Sequence, residues 1–282
     1  MTIKRYQKRF VRCIKKSLEA FKNTHITIQL NHVDDASNWR NYYDYDPLEK
    51  LQGYSLFDIT MKPLIKVPEK DHARIHLALT SEMGTSLKLY SKSYSQILKM
   101  LPKKMNIGAS INYNQSFGSF LDKGLKLEVL NEFDFIGVSA YDKIEPKCSA
   151  DNFKKNIEKF RKKLKRYGLT KPENDWKIQI TEIGIGGGAS DSKKTMRMPY
   201  KGIYGPYSIE KDPWQKPSYS QVRKDFYHCL LDFLKTTNLV NAAFIWNANS
   251  WDVQGFYPFS KHYKNPEITQ LIKSYNNATH SM

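Results

Sequence analysis

Six short, apolar, β-rich segments alternate along the chain with longer segments of helical periodicity. The predicted strands cover 25–31, 74–80, 105–113, 133–141, 176–184 and 240–248. The predicted helices cover about 3–21, 54–65, 86–101, 118–130, 151–167 and 221–236, with a last helix at 266–275. Strands that alternate with helices pair in parallel, because each helix crosses over between two strands. The sequence therefore predicts an α/β fold with six βα units, and no Pro/Ser-rich linker divides the predicted single domain, 1–282.

Two α/β folds fit six successive units: an open doubly wound sheet and a TIM-type β/α barrel. Polar or aromatic side chains follow nearly every predicted strand, which favours the barrel because its active site lies at the carboxyl ends of the strands. The GIGGGAS segment (184–190) follows a strand but runs into a Ser/Lys/Pro-rich loop, so it is not a dinucleotide fingerprint. No Walker A sequence is present either. We therefore predict a TIM-type barrel that uses no cofactor.

The chain carries 45 Lys+Arg against 28 Asp+Glu, a formal net charge of +17. Two basic segments, 3–21 and 154–168, repeat apolar residues at helical spacing, which is typical of amphipathic helices with a solvated charged face. No zinc-finger, KH or RNP-like pattern accompanies them, so a nucleic-acid partner is not expected. The charge nevertheless leaves a basic nucleic-acid-associated protein open as an alternative.

Membrane, export and metal signals are not found in the sequence. No apolar run approaches the roughly 20 residues that cross a bilayer, and charges interrupt the N-terminal segment too often for a signal peptide. We expect no membrane association. The sequence does not identify the compartment, and the chain as given is expected to be cytoplasmic. Cys13, Cys148 and Cys229 lack the spacing of a zinc site or a disulfide framework, so we expect incidental thiols and no metal.

Two glutamates follow apolar strands directly: Glu82 in ALTSEMG and Glu182 in IQITEIGIGG. Retaining glycoside hydrolysis needs two carboxyl groups about 5–5.5 Å apart, one as nucleophile and one as proton donor. Glutamates at the same ends of parallel strands can meet that need. A lone glutamate after a strand could instead serve as a carboxylate at a helix N-terminus. The sequence predicts that Glu82 and Glu182 face each other across one cleft as the catalytic pair.

The order of these strand ends resembles the clan A retaining glycoside hydrolases with a (β/α)8 barrel, and more narrowly family 113, the β-mannanase-like barrels. The resemblance rests on LNHVDDASNWR (30–40), LTSEMG (79–84), FDFIGVSAYDKI (133–144), ITEIGIGG (180–187) and AFIWNAN (243–249). It implies that Glu82 is the general acid/base and Glu182 the nucleophile. It also implies that Tyr141 donates a hydrogen bond beside the nucleophile and that Trp246 forms a sugar platform.

Further strand-end residues are predicted to bind substrate at the mouth of the barrel. They are His32, Asp34, Trp39, Asn112, Tyr141, Trp246 and Asn247. The resulting hypothesis is a retaining glycosidase that cleaves a β-linked, mannan-like polysaccharide or oligosaccharide by double displacement.

Two departures from the family pattern favour a second hypothesis, a catalytically inactive barrel that binds carbohydrate or protein. Ser81 stands where the clan usually has an asparagine. The resemblance also makes 25–31 the third barrel strand, so the first two strands would be missing. Unpaired strands expose backbone donors and acceptors, so we expect self-association through the barrel edges.

Overall fold

The computed structural model describes residues 2–31, 40–113, 126–140, 149–172, 175–184, 217–245 and 265–280. The strands of these parts are β1 Ile26–Gln29, β2 Ile75–Ser81, β3 Asn106–Asn112, β4 Phe135–Ser139, β5 Lys177–Ile183 and β6 Val240–Ile245. The α-helices are α1 Ile3–Ala20, α2 Glu69–His72, α3 Gly84–Leu89, α4 Ser91–Met100, α5 Ala150–Arg166, α6 Pro217–Thr236 and α7 Pro266–His280. The strand order follows the chain, β1-β2-β3-β4-β5-β6.

The chain divides into two compact units whose sequences interleave. The first unit comprises Met1–Ser139 and Lys163–Gln179, and the second comprises Ala140–Lys162 and Ile180–Met282. Strand β5 crosses the boundary, with 177–179 in the first unit and 180–183 in the second. A single domain over 1–282 stays a prediction.

The first unit is built on parallel pairing of β1 with β2, β2 with β3 and β3 with β4. Ile26 lies opposite Ile75 in the first pair, and Gly108 lies opposite Phe135 in the third. Six of the seven β2 residues are buried, and all five β4 residues are buried. Near-continuous burial is expected of parallel strands that are covered on both faces.

Helix α1 shows how the amphipathic prediction is realised in this unit. Ile14 and Leu18 are buried, and Gln7 Nε2 donates a hydrogen bond to the Asp58 carbonyl at 2.7 Å. Arg74 donates from its guanidinium to the Leu18 carbonyl at 2.9 Å and to the Phe21 carbonyl, where the helix ends. One arginine thus donates to two of the carbonyls at the C-terminal end of the helix, where backbone partners run out.

Three predicted helices of the first unit differ from the observed elements. The predicted helix over 86–101 is two helices, α3 and α4, which meet at Tyr90 with φ −116° and ψ 34°. The segment predicted over 54–65 forms a π turn, Phe57–Met61, and a 3-10 turn, Lys62–Lys66. Of the helix predicted near 118–130, the described part is a 3-10 turn at Glu128–Asn131. Apolar spacing does not separate short 3-10 or π turns from an α-helix, because over so few residues the different numbers of residues per turn give nearly the same pattern.

Gly108 sits where β3 approaches β4 too closely for a side chain. A Cβ at this position would lie 2.2 Å from the Phe135 carbonyl oxygen and 2.8 Å from two carbons of the Phe135 ring. Backbone in a buried sheet cannot move aside without breaking the ladder. We therefore expect Gly108→Ala to lower the free energy of unfolding by about 3 kcal/mol or more, measured by urea denaturation. Gly53→Ala is the control: its Cβ would meet nothing within 4 Å at φ +83°, so the expected cost is about 1–2 kcal/mol. Equal losses in the two variants would contradict this assignment.

A histidine pair lies near the amino end of the same sheet. The rings of His25 and His76 have centroids 5.0 Å apart, and Gln179 Nε2 donates to His76 Nδ1 at 2.9 Å. Burial lowers the pKa of His76, the charge of His25 lowers it further, and Asp134 partly offsets both. The folded chain therefore binds a proton at His76 less readily than the unfolded chain does.

The depressed His76 pKa predicts a loss of stability in acid. Between the folded pKa and the unfolded value of about 6.5, the unfolded state binds more protons, so stability falls as the pH falls through this range. His76→Asn keeps an acceptor for Gln179 and removes the titration. We expect the urea midpoint to fall less in His76→Asn than in wild type between about pH 7.5 and about pH 5.5. His228→Asn, at an exposed site, should behave as wild type. Identical pH dependence in His76→Asn and wild type would contradict the prediction.

In the second unit, aromatic side chains of α5 and α6 are in contact. The Phe153 ring stacks on Phe233 with centroids 5.8 Å apart and meets the edge of Phe226 at 5.7 Å. Helix α7 packs against α6, where Ile268 is buried and Lys224 pairs with Glu267. None of the helices in the described parts of the chain has the length and apolar character to span a membrane.

The cysteines depart from the sequence expectation. Cys229, on α6, is disulfide-bonded, whereas Cys13, on α1, is a free and exposed thiol. Cys148 lies outside the described residues. The expectation of incidental thiols is therefore wrong for Cys229. Sequence spacing identifies local cysteine motifs, whereas a disulfide depends on proximity that only the tertiary fold creates.

Candidate active site

Glu82 stands directly after β2 in a backbone conformation that is rare for its residue type. Its φ is 55°, and Gln52 is the other non-glycine residue with positive φ in the described ranges. Glu82 is also buried, with 6% of its surface exposed. Unfavourable backbone geometry persists only where the surroundings enforce it, and it concentrates at functional sites. The geometry marks the carboxyl end of β2 as a candidate site.

A register shift in β2 places Glu82 in this conformation. Ala78 lies opposite Gly108, but Ser81 lies opposite Ser110, so β2 has one more residue than β3 over this stretch. The Ser110 carbonyl accepts both the Glu82 N–H and the Thr80 hydroxyl, each at 3.0 Å. A bulge of this kind bends the strand and re-aims the side chain that follows it.

Two side chains bind the Glu82 carboxylate from neighbouring elements. Arg40 Nη2 lies 2.8 Å from Oε2, and Asn112 Nδ2 donates to Oε1 at 2.9 Å. Asn112 is the last residue of β3, and Arg40 begins the 3-10 turn Arg40–Tyr42. Both carboxylate oxygens are thus oriented by donors on separate elements of the first unit.

The same edge of the sheet carries further polar groups. The Ser81 hydroxyl accepts from Gln29 Nε2 at 2.6 Å and donates to Asn31 Oδ1. Asn41 is fully buried, and its Oδ1 accepts from the Gly84 N–H at 2.8 Å. These bonds connect the ends of β1 and β2 and the turn that carries Arg40. Among the described residues, no group of three or more His, Cys, Asp or Glu side chains could hold a metal ion.

Glu182 lies in β5, one residue before the strand ends, within the second unit. It is buried, with 6% of its surface exposed, and its carbonyl accepts from the Ala140 N–H at 2.8 Å. Glu82 belongs to the first unit and Glu182 to the second. Their role as a facing catalytic pair stays a prediction.

The structure brings one predicted substrate-binding residue, Asn112, into contact with one predicted catalytic residue, Glu82. The other predicted substrate-binding residues, His32, Asp34, Trp39, Tyr141, Trp246 and Asn247, lie outside the described residues. Arg40, Asn31 and Gln29 join the site without having been predicted as site residues. Position gives a weak signal for all three, because each lies in or shortly after the first strand, where barrel-mouth residues are expected.

Comparison with known proteins identifies the fold through structures of low sequence identity. No protein-family model matches the sequence, and no curated protein matches it. A solved structure of a GH113 β-1,4-mannanase in a complex is similar, with a TM-score of 0.53 and 12% identity over 96% of this chain and 79% of that chain. A second GH113 β-1,4-mannanase structure has a TM-score of 0.52 with the same identity and coverage. The predicted α/β fold of TIM-barrel type is confirmed, and at this identity the likeness shows the fold alone.

Proposed function

We propose that this protein is a retaining glycoside hydrolase that cleaves β-linked, mannan-like chains. The observation that carries the proposal is the geometry of Glu82: it has a left-handed backbone at the carboxyl end of a parallel strand, and Arg40 and Asn112 bind its buried carboxylate. Active sites of TIM-type barrels lie at this edge. Structural residues seldom require a rare backbone conformation, so a functional demand on Glu82 accounts for it best.

The proposed reaction is a double displacement. Glu182 attacks the anomeric carbon while the Glu82 carboxyl transfers its proton to the glycosidic oxygen, so the leaving sugar departs as an alcohol. Water then attacks the glycosyl ester, Glu82 takes a proton from that water, and Glu182 is released as a carboxylate. Atoms balance: one water is consumed and one glycosidic bond is broken. The mechanism requires the two carboxyl groups about 5–5.5 Å apart, and a separation of about 6.5–9.5 Å would instead suit inversion.

The substrate class comes from the fold likeness. The two similar structures described above are named as β-1,4-mannanases, which supports β-1,4-mannan as the first substrate to test. The direct experiment incubates the protein with β-1,4-linked manno-, gluco- and galacto-oligosaccharides and quantifies products by anion-exchange chromatography. We expect shorter manno-oligosaccharides to accumulate. If none of the three series is cleaved, the proposal is overturned.

One observation favours a second candidate, a carbohydrate-binding barrel without turnover. The Ser81 hydroxyl is bonded to Gln29 and Asn31 within the protein, where the clan usually presents an asparagine to the sugar 2-OH. Calorimetric binding of mannotetraose without hydrolysis would favour this second function. Hydrolysis of the same compound would exclude it.

A further inference from the structure

We propose that Arg40 is a positioning residue for the Glu82 carboxyl, fixing the orientation from which Glu82 protonates the leaving group. The inference rests on the proposed glycosidase function and adds a residue to it. Arg40 is a candidate because it contacts both the backbone and the side chain at the site.

The guanidinium of Arg40 binds two consecutive residues at once. Its Nε donates to the Ser81 carbonyl at 3.0 Å, and its Nη2 lies 2.8 Å from Glu82 Oε2. Because a guanidinium is planar and rigid, these two bonds fix the peptide before Glu82 and the carboxylate of Glu82 relative to each other. Arg40 thereby contacts Glu82 through both the preceding peptide and the side chain.

The two Arg40 bonds lie beside a residue whose backbone conformation is unfavourable. Glu82 has φ 55°, a region that a residue with a Cβ adopts only when its surroundings enforce it. The turn that carries Arg40 is itself anchored, because Asn41 accepts from the Gly84 N–H at 2.8 Å. Ser81, before Glu82, and Gly84, two residues after it, are therefore both bonded to this turn, and the carboxyl orientation depends on it.

Orientation matters most for the proton transfer. A general acid works only within hydrogen-bond reach of the atom it protonates, and its contribution is about 10²–10⁴-fold. That contribution is large for a sugar leaving group, which needs a proton, and small for dinitrophenolate, which leaves without one. Loss of Arg40 should therefore affect the two kinds of substrate unequally.

The test compares wild type, Arg40→Met and Arg40→Lys on two probes. The probes are β-1,4-mannotetraose, with a sugar leaving group, and 2,4-dinitrophenyl β-mannobioside, with an activated one. For Arg40→Met we expect kcat/KM on mannotetraose to fall about 100-fold or more, and kcat/KM on the dinitrophenyl glycoside to fall less than about tenfold. Arg40→Lys retains the positive charge but lacks the planar pair of donors. It should therefore keep more activity on mannotetraose than Arg40→Met, and kcat/KM should still fall more on mannotetraose than on the dinitrophenyl glycoside.

Arg74→Met is the matched control. Arg74 also clamps main-chain carbonyls in the first unit, and it pairs with Asp71 at 3.2 Å, but it lies before β2, at the opposite end of the strand from Glu82. Its loss should lower stability, measured by thermal denaturation. It should change kcat/KM by the same factor on both probes.

The outcomes separate the inference from the proposed function. Equal losses on both probes in the Arg40 variants, with an active wild type, would overturn the positioning role and leave the glycosidase proposal standing. A wild type that hydrolyses neither probe would overturn both. If circular dichroism shows Arg40→Met unfolded, Arg40→Lys alone decides: an unequal loss supports the role, and an equal loss overturns it.

Discussion

Replacing Glu182 with alanine is expected to lower the kcat for β-1,4-manno-oligosaccharide hydrolysis by on the order of 10⁵-fold. The covalent step needs a carboxylate that attacks the anomeric carbon, and alanine offers no nucleophile. Sugar binding should remain close to wild type, since the nucleophile contributes mainly to bond formation. Formate should partly restore turnover of the dinitrophenyl glycoside, because it can enter the space left by the carboxylate. The measurements are initial rates with and without formate, and calorimetric binding of mannotetraose.

The matched control for this variant is Glu267→Ala, which removes a glutamate of the same unit. Glu267 is paired with Lys224 at the start of α7, and exposed ion pairs contribute little to stability. Wild-type rates are expected for it. Wild-type-like turnover in Glu182→Ala would remove Glu182 from the mechanism.

Replacing Glu82 with alanine should have the second-largest effect and a different pattern. Hydrolysis of mannotetraose should fall about 10³-fold, because proton donation to the leaving oxygen is lost. For the dinitrophenyl glycoside, formation of the glycosyl-enzyme should be nearly unaffected, so the burst of dinitrophenol should persist while the steady-state rate falls. Added azide should accelerate that steady state by attacking the intermediate and releasing a β-mannosyl azide.

Glu132→Ala serves as the control for Glu82. Glu132 lies in the same unit and accepts from the Ser95 hydroxyl at 2.7 Å at an exposed position. Its loss should change neither the burst nor the steady state. Equal losses on activated and unactivated substrates in Glu82→Ala would argue against a general acid/base at this position.

Strand positions could be predicted because buried strands are rich in apolar residues, which are visible in the sequence. The segment around Ile75–Ser81 is mostly apolar, with Ile75, Leu77, Ala78 and Leu79, as is expected of a parallel strand covered on both faces, and β2 forms there. Helix α1 carries its apolar residues at helical spacing and forms nearly as predicted, at Ile3–Ala20. The break at Tyr90 between α3 and α4 could not be predicted, because both helices continue one apolar face.

The site could be predicted only in part, for a physical reason that Glu82 illustrates. Its place after a strand is visible in the sequence, but the extra residue in β2 and the positive φ arise from pairing with β3. Arg40 was not among the predicted site residues because its role depends on two atoms of another element, the Ser81 carbonyl and the Glu82 carboxylate. The disulfide of Cys229 was missed for the same reason, since tertiary proximity has no local signature.

The most direct test of a retaining mechanism is to trap its covalent intermediate. Wild-type protein is incubated with 2-deoxy-2-fluoro-β-mannosyl fluoride, which forms a glycosyl-enzyme that hydrolyses slowly, and the protein is then analysed by intact and peptide mass spectrometry. The account predicts one added fluoromannosyl group, located on Glu182, and none in Glu182→Ala. An adduct on Glu82, or no adduct in a protein that hydrolyses manno-oligosaccharides, would contradict it.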